Sequence, residues 1–488
     1  MYAISYQPQL SADPDEPADR PTSIGWILFV GVWLICCGAG LATALLAEQI
    51  LLGIVIMAVP TAIGVFVNPT FALCCIALVL PLSGSVTFQG FLSADRVVGG
   101  LAALGILFHC KFLGQGLFVR GSPLVPMFIL ACWASISALW APNKPYAFVS
   151  SLTILQLSIW GLAVWNGMAF RGNFFWPLRC YALGMLVVVT RLYVSGALNR
   201  MAGTAGSAGR VTLEGTNAQA VNPNDFASYL GAAFIVAVYL FLRDPVKWLR
   251  SLWAVCVFVF PAMILVTGAR SCLAGLLAVV GMTAFTFHTM LRSRGTLIGA
   301  VVASLLLVGA SYFVLNSRFA KSEGVMRIID PKRRGRTTEG RLALIRVGLQ
   351  NIIQNPLLGT GYKNYTIATR ERLTIHNDVL LITAELGLFG TFLFSWFYWK
   401  LFAGSMAVQA PAEKWMVRAM AVFYLVTGLG FALFTIKGFW FFTLCGASIA
   451  HRARQVEQSR DASHLFVPED SVVRARWIPA YPTLPFHG

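Results

Sequence analysis

The feature that most limits what this chain can fold into is an almost unbroken series of apolar runs from Ile24 to Leu315, resuming after His376. A helix crossing the hydrocarbon core of a bilayer needs about 20 mainly apolar residues. Runs of that length follow one another here with short polar breaks. Candidate spans begin near Ile24, Leu51, Thr70, Val97, Pro123, Ala147, Pro177, Phe226, Leu252, Ser271, Thr296, Asn377, Ala419 and Gly438. The expected fold is therefore all-α, a polytopic transmembrane bundle of 12 to 14 helices. With 57% hydrophobic and only 12% charged residues, a soluble core is excluded.

The formal charge of +17 does not point to nucleic acid, because the basic residues are scattered over loops without the interleaved aromatics of a stacking platform. The ten cysteines lie in or beside apolar runs, which argues against disulfide frameworks and zinc sites. Residues 1–23 are polar and proline-bearing and read as a disordered cytoplasmic tail. Residues 451–488 read as a second cytoplasmic tail, leaving 24–450 as the membrane domain.

Strict alternation of spans places five short basic connectors on one side, those bearing Lys111 and Arg120, Arg171 and Arg179, Arg243 to Arg250, Arg292 and Arg294, and Lys414 and Arg418. The positive-inside rule makes that side the cytoplasm. Two loops then face outward, 196–225 and 316–376. The second holds twelve Lys or Arg against four acidic residues from Asn316 to Ile375, but loops of roughly 60 residues cross largely regardless of charge.

Several outward residues have both a structural and a chemical reading. Asn222-Pro223-Asn224-Asp225 stands at a helix entrance, where Asn and Asp cap and proline shapes the turn. Arg270, in "LVTGARSCLAG", lies near membrane depth, where an arginine has a partner, lines a wet cavity or snorkels. Arg191 is a weaker case of the same kind. The stretch "TTEGRLALIRVGLQNIIQNPLLGTGYKNY" reads as an amphipathic helix with a capping-box-like register at Thr338 and Arg341, apolar from Leu342 to Ile353 and ending at Asn355-Pro356. Arg341 and Arg346 lie on it. The "GTGY" turn after it is either a backbone nest for phosphate or a tight turn, with the turn favoured. Of the six histidines only His376 falls on the outer side.

The segments "EGRLALIRVGLQNIIQNPLLGTGYKNY" and "HNDVLLITAELGLFG" resemble the core signature of the O-antigen ligase and Wzy-type polymerase superfamily. That signature comprises an arginine-led amphipathic helix, a P-x-x-G-x-G turn, and His-Asn entering a helix with E-x-G-x-x-G downstream. "RVTLEGTNAQAVNPNDFASYL" and "TGARSCLAG" look like the earlier outer loop and the arginine helix entrance of the same family, so the likeness spans about Arg210 to Gly390. Ala269 stands where a serine is common, and Asp378 follows His-Asn where an aromatic or small residue is usual.

The resemblance implies an inner-membrane glycosyltransferase of the GT-C type. It would move a glycan from an undecaprenyl-diphosphate carrier to a glycan or lipid A-core acceptor at the periplasmic face. On this reading Arg210, Arg270 and Arg341 hold the diphosphate and His376 takes or orients the acceptor proton. Asn222, Asn224, Asn377, Arg191 and Arg346 position substrate, while Gly359 and Gly361 let the backbone turn near the site. No acidic pair suited to magnesium sits on an outer loop, so no cofactor is expected. The rival reading is a lipid-linked glycan flippase or other transporter, but no internal repeat is evident and the notable cations gather toward one face.

Overall fold

The computed structural model describes residues 50–82, 87–88, 92–112, 122–171, 175–194, 222–286, 325–326, 328, 331–371, 373–408 and 410–465, with a few helical positions between 31 and 39. Its helices are α1 (Ile50–Val67), α2 (Pro69–Val79), α3 (Ala94–Phe112), α4 (Leu124–Ile136), α5 (Lys144–Arg171), α6 (Phe175–Val194), α7 (Pro223–Arg243), α8 (Lys247–Thr267), α9 (Arg270–Thr286), α10 (Pro331–Gln354), α11 (Tyr365–Thr369), α12 (Asp378–Met406), α13 (Pro411–Gly428) and α14 (Lys437–Leu465). Thr87–Phe88 and Leu92–Ser93 form a two-residue antiparallel ladder, and the other regular elements among the described residues are helical. The expected starts at Ile24 and Thr296, like Arg210, lie outside the described residues.

Among the described residues five helices are long and apolar enough to cross a membrane: α5 over Lys144–Met168, α6, α7, α8 and α12. Shorter apolar stretches occur in α1, α2, α4 and α9. Three boundaries differ most from the sequence expectation, each for a reason of polarity. α13 starts at Pro411, eight residues before Ala419, because its first turns carry Glu413, Lys414 and Arg418 and show no apolar run. α10 starts at Pro331, so Thr338 is interior and not a cap. Proline at the first helical position needs no amide donor, which suits this entrance. α14 continues through His451 to Leu465, so the segment read as a tail begins as helix.

Local chemistry sets the corners. Asn68 accepts from the N–H groups of Thr70 (2.8 Å) and Phe71 (3.3 Å) and thereby separates α1 from α2. α8 ends on Gly268 at φ 68°, a left-handed stop that a side chain disfavours. Gly275 of α9 faces Thr427 and the Phe423 carbonyl so closely that a Cβ there would collide, which lets α9 and α13 pack backbone to backbone. A cluster of rings, Phe394, Phe397, Tyr398, Tyr424, Phe439 and Trp440, fills the space where α12, α13 and α14 meet.

At one end of the bundle sits a buried ion pair. Arg179, at the start of α6, donates to Asp244 at 2.9 and 2.7 Å, and Asp244 also accepts from Trp253 Nε1 (2.9 Å) and Val246 N–H (2.8 Å). Nearby, Arg243 donates to Glu413 at 2.9 Å and Arg250 to the Asp244 carbonyl at 2.7 Å. Three of the short basic connectors therefore share this end, and the starts of α7, α9 and α12 lie at the opposite one.

Candidate functional site

Three helix starts meet at that opposite end. Asn222 caps α7, its side-chain oxygen accepting from Asn224 N–H at 2.9 Å, with Pro223 at the first helical position. Asn224 is buried, and its carbonyl accepts from Cys272 Sγ at 3.7 Å, which joins the start of α7 to that of α9. The connector between α13 and α14 joins α9 to α12. Within it Gly430 lies against Ser271, the Leu429 carbonyl accepts from Asn377 Nδ2 at 2.9 Å, and the Phe431 ring meets His376 edge-on at 6.3 Å between centroids. Three consecutive connector residues thus bridge the peptide beside Arg270 to the peptide carrying His376. Asn377 also caps α12, accepting from Leu380 N–H at 3.0 Å. Each helix start directs partial positive charge toward this end, which favours an anion there.

The helix α10 lies over the same region. Gly348 faces Ile375, and Tyr365 Oη donates to the Leu344 carbonyl at 3.4 Å. Arg341 is on this inward side, two turns from Gly348, and its charge acts on His376. Burial and the neighbouring Arg341 cation both hold the His376 imidazole below its usual pKa, so the ring is neutral at neutral pH and able to accept a proton. Arg346 points the other way and is exposed. Arg191, on the last turn of α6, is also exposed, and among the described residues no hydrogen bond or ion pair ties it to the others.

The turn after α10 is clamped to a kink in α12. Gly387 breaks the helical geometry at φ 69° and ψ −170°, a region essentially limited to glycine. Across the kink Leu388 N–H donates to the Pro356 carbonyl (2.9 Å), Thr360 N–H to the Ala384 carbonyl (3.0 Å) and Gly361 N–H to the Glu385 carbonyl (2.8 Å). Gly359 and Gly361 both have positive φ, and a Cβ on either would strike backbone or side-chain atoms of α12 or Ala141. Tyr362 N–H donates to Ser137 Oγ at 2.9 Å, and the Glu385 carboxylate takes the N–H groups of Lys363 and Tyr365. The amides of this turn are spent on the protein, so it is a tight turn rather than a phosphate nest.

Sequence reasoning did not foresee what the acids beneath this surface do. Asp378 is buried and accepts from Leu433 N–H (3.0 and 3.1 Å) and Phe434 N–H (3.1 Å), which pins the connector to α12. Glu385, one helical face along, is equally buried, and with Asp378, Lys363, Tyr362 and Thr435 it lines a small cavity behind Asn377. Asp225 lies in the first turn of α7. The region is therefore less poor in carboxylates than its motifs suggest, although Asp378 and Glu385 are turned to backbone donors. Glu385 was visible only as the first letter of E-x-G-x-x-G, and its partner segment only as P-x-x-G-x-G. Asn351, which donates from Nδ2 to the Ala384 carbonyl at 3.3 Å, had no signal. Among the described residues no group of three His, Cys, Asp or Glu side chains could hold a metal ion.

Residues 254–395 match the family described as O-antigen ligase, and no curated protein matches the chain. The matched stretch holds Arg270, Arg341, Gly359, Gly361, His376 and Asn377, and stops short of Arg191, Arg210, Asn222 and Asn224. The likeness read from the motifs of the chain thus holds over α9 to the kinked α12, where the chain is similar to the O-antigen ligase family.

Proposed function

We propose that the protein transfers a glycan from an undecaprenyl-diphosphate carrier to an acceptor hydroxyl, as an O-antigen ligase or a polysaccharide polymerase of the bacterial inner membrane. The reading keeps twelve to fourteen crossings, with the long loop and the site on the periplasmic face. The observation that carries it is the half-buried His376 beside Arg341, joined through Leu429 to Phe431 to the helix start bearing Arg270.

In this mechanism the acceptor oxygen attacks the anomeric carbon from the side opposite the diphosphate, so the anomeric centre inverts. His376 accepts the hydroxyl proton as the new bond forms. The bond to the diphosphate breaks, and its developing charge is met by the guanidinium groups of Arg270 and Arg341, with Arg210 as a third. Planar guanidinium groups fit two phosphate oxygens at once, which supports catalysis without a divalent metal. Asn222 and Asn377 hold the helix entrances, and the clamped glycine turn fixes α10 and therefore Arg341.

The test is a purified-protein assay with a polyprenyl-diphosphate glycan and several acceptors, run with and without EDTA. Glycosidic product with inverted configuration and EDTA-resistant turnover is the expected result. Carrier movement without bond formation would replace the enzyme by a transporter, and loss of turnover restored by magnesium would end the metal-free version.

A further inference from the structure

The outward side of α10 carries an apolar stripe where a solvated loop helix would be polar. Leu342 is 59% exposed, Leu349 46% and Ile353 77%, and the stripe runs on into the turn through Leu357 at 68% and Leu358 at 47%. The turn abuts the Gly387 kink, and directly beyond it α12 exposes Leu388, Phe389, Phe392 and Trp399 on one face. The loop stripe and the lipid-facing stripe of a membrane span are thus one surface.

The position of the kink identifies what covers that surface. α12 has 29 residues, about 43 Å at 1.5 Å per residue, which exceeds the roughly 30 Å hydrocarbon core. From Gly387 to Met406 the length is about 30 Å. The residues above the kink, from Leu381 to Leu386, are buried by protein instead, under the turn and α10. A second marker stands at the same level: Trp133 donates from Nε1 to the Leu386 carbonyl at 2.9 Å and packs on Phe389 and Trp140. Paired tryptophans are typical of the membrane–water interface.

We infer that the outer boundary of the bilayer lies at the Gly387 kink, and that α10 with its following turn rests on this boundary. Leu349, Ile353, Leu357 and Leu358 enter the acyl chains of the outer leaflet. The occupant of the apolar stripe is the phospholipid bilayer. Arg346 falls within the stripe between Leu342 and Leu349, and at an interface its long side chain reaches up to phosphate headgroups while its stem stays with the leucines. The inward face of the same helix holds Arg341 over His376, so the inference gives α10 two roles on two faces. It rests on the membrane reading of α12 and not on the transferase reading.

The experiment places a fluorescent unnatural amino acid at Ile353, and separately at Leu357, in the full-length protein reconstituted into phosphatidylcholine and phosphatidylglycerol nanodiscs. Quenching is measured with lipids carrying a nitroxide near the top of the acyl chain and with iodide in the water. Lipid quenching several-fold above iodide quenching at both positions is expected. Strong iodide quenching with weak lipid quenching would overturn the inference in favour of a solvated helix. Little quenching by either would overturn it too, since protein would then cover the stripe, and the mass of the nanodisc complex would show whether a second copy does so. None of these readouts depends on activity.

Discussion

Replacing Gly387 by alanine tests whether the turn after α10 is truly clamped to α12. The backbone at Gly387 lies at φ 69° and ψ −170°, where a non-glycine residue costs about 1–3 kcal/mol. A Cβ there would also run into the Leu357 carbonyl and the Leu358 nitrogen, which are backbone atoms and cannot rotate away. Relief requires the turn to lift, breaking the Thr360 to Ala384 hydrogen bond between buried residues and leaving a buried polar group unpaired at a further cost of about 1–3 kcal/mol. The combined penalty is about 2–6 kcal/mol. Gly340 on α10 is the control, since nothing lies within 4 Å of a Cβ there and alanine in a helix interior gains about 0.5–1 kcal/mol. Thermal unfolding of the two variants in the same detergent should show Gly387→Ala well below the parent protein and Gly340→Ala at or slightly above it. Equal midpoints for Gly387→Ala and the parent would mean that the clamp does not hold.

Other substitutions separate chemistry from scaffold. His376→Ala should leave the protein folded and the donor bound, yet lower single-turnover rate by about a hundredfold or more, measured together with donor affinity in one preparation. The pH profile follows from the depressed pKa of His376: activity persists below the ordinary imidazole range and falls where the ring protonates. In Arg341→Gln one cause of that depression is gone, so the acid limb of the rate profile should move to higher pH. At the far end of the bundle, Asp244→Ala strands the Arg179 guanidinium and should cost about 3–5 kcal/mol, seen as reduced thermal stability or poor membrane insertion.

The helices were readable because an apolar run of about 20 residues has few alternatives in lipid. Boundaries failed where a helix carries charge in its first turns, as at Pro411 and Pro331, since nothing apolar announces such a start. The candidate residues were legible as motifs, and those from Arg270 to Gly390 fall inside the match over residues 254–395. What the motifs do was less legible. E-x-G-x-x-G and P-x-x-G-x-G are two halves of one contact, and a linear reading has no means of placing Gly359 against the Glu385 backbone. Asp378 looked like an odd residue after His-Asn. Its use is long-range, holding the N–H groups of Leu433 and Phe434, more than fifty residues on.

The same limit hid the connector between α13 and α14, which contains no polar motif and yet touches both Ser271, beside Arg270, and the His376-Asn377 peptide. Gly430 has no unusual φ, so its role is space alone: a Cβ added there would lie 2.9 Å from the Cβ of Ser271. Gly430→Ala should therefore push the connector away from the start of α9, and with it Leu429 and Phe431, which hold Asn377 and His376. Misplacement of a catalytic group by about 1 Å can cost about a hundredfold in rate. The expected loss is in kcat, with thermal stability close to the parent because the collision involves one methyl group at the end of the bundle. Ser271→Gly supplies the missing room from the other side, so the double variant Gly430→Ala with Ser271→Gly should recover much of the rate. If the single variant turns over normally, or if the double variant fails to recover while remaining folded, the connector does not set the register between the arginine and the histidine.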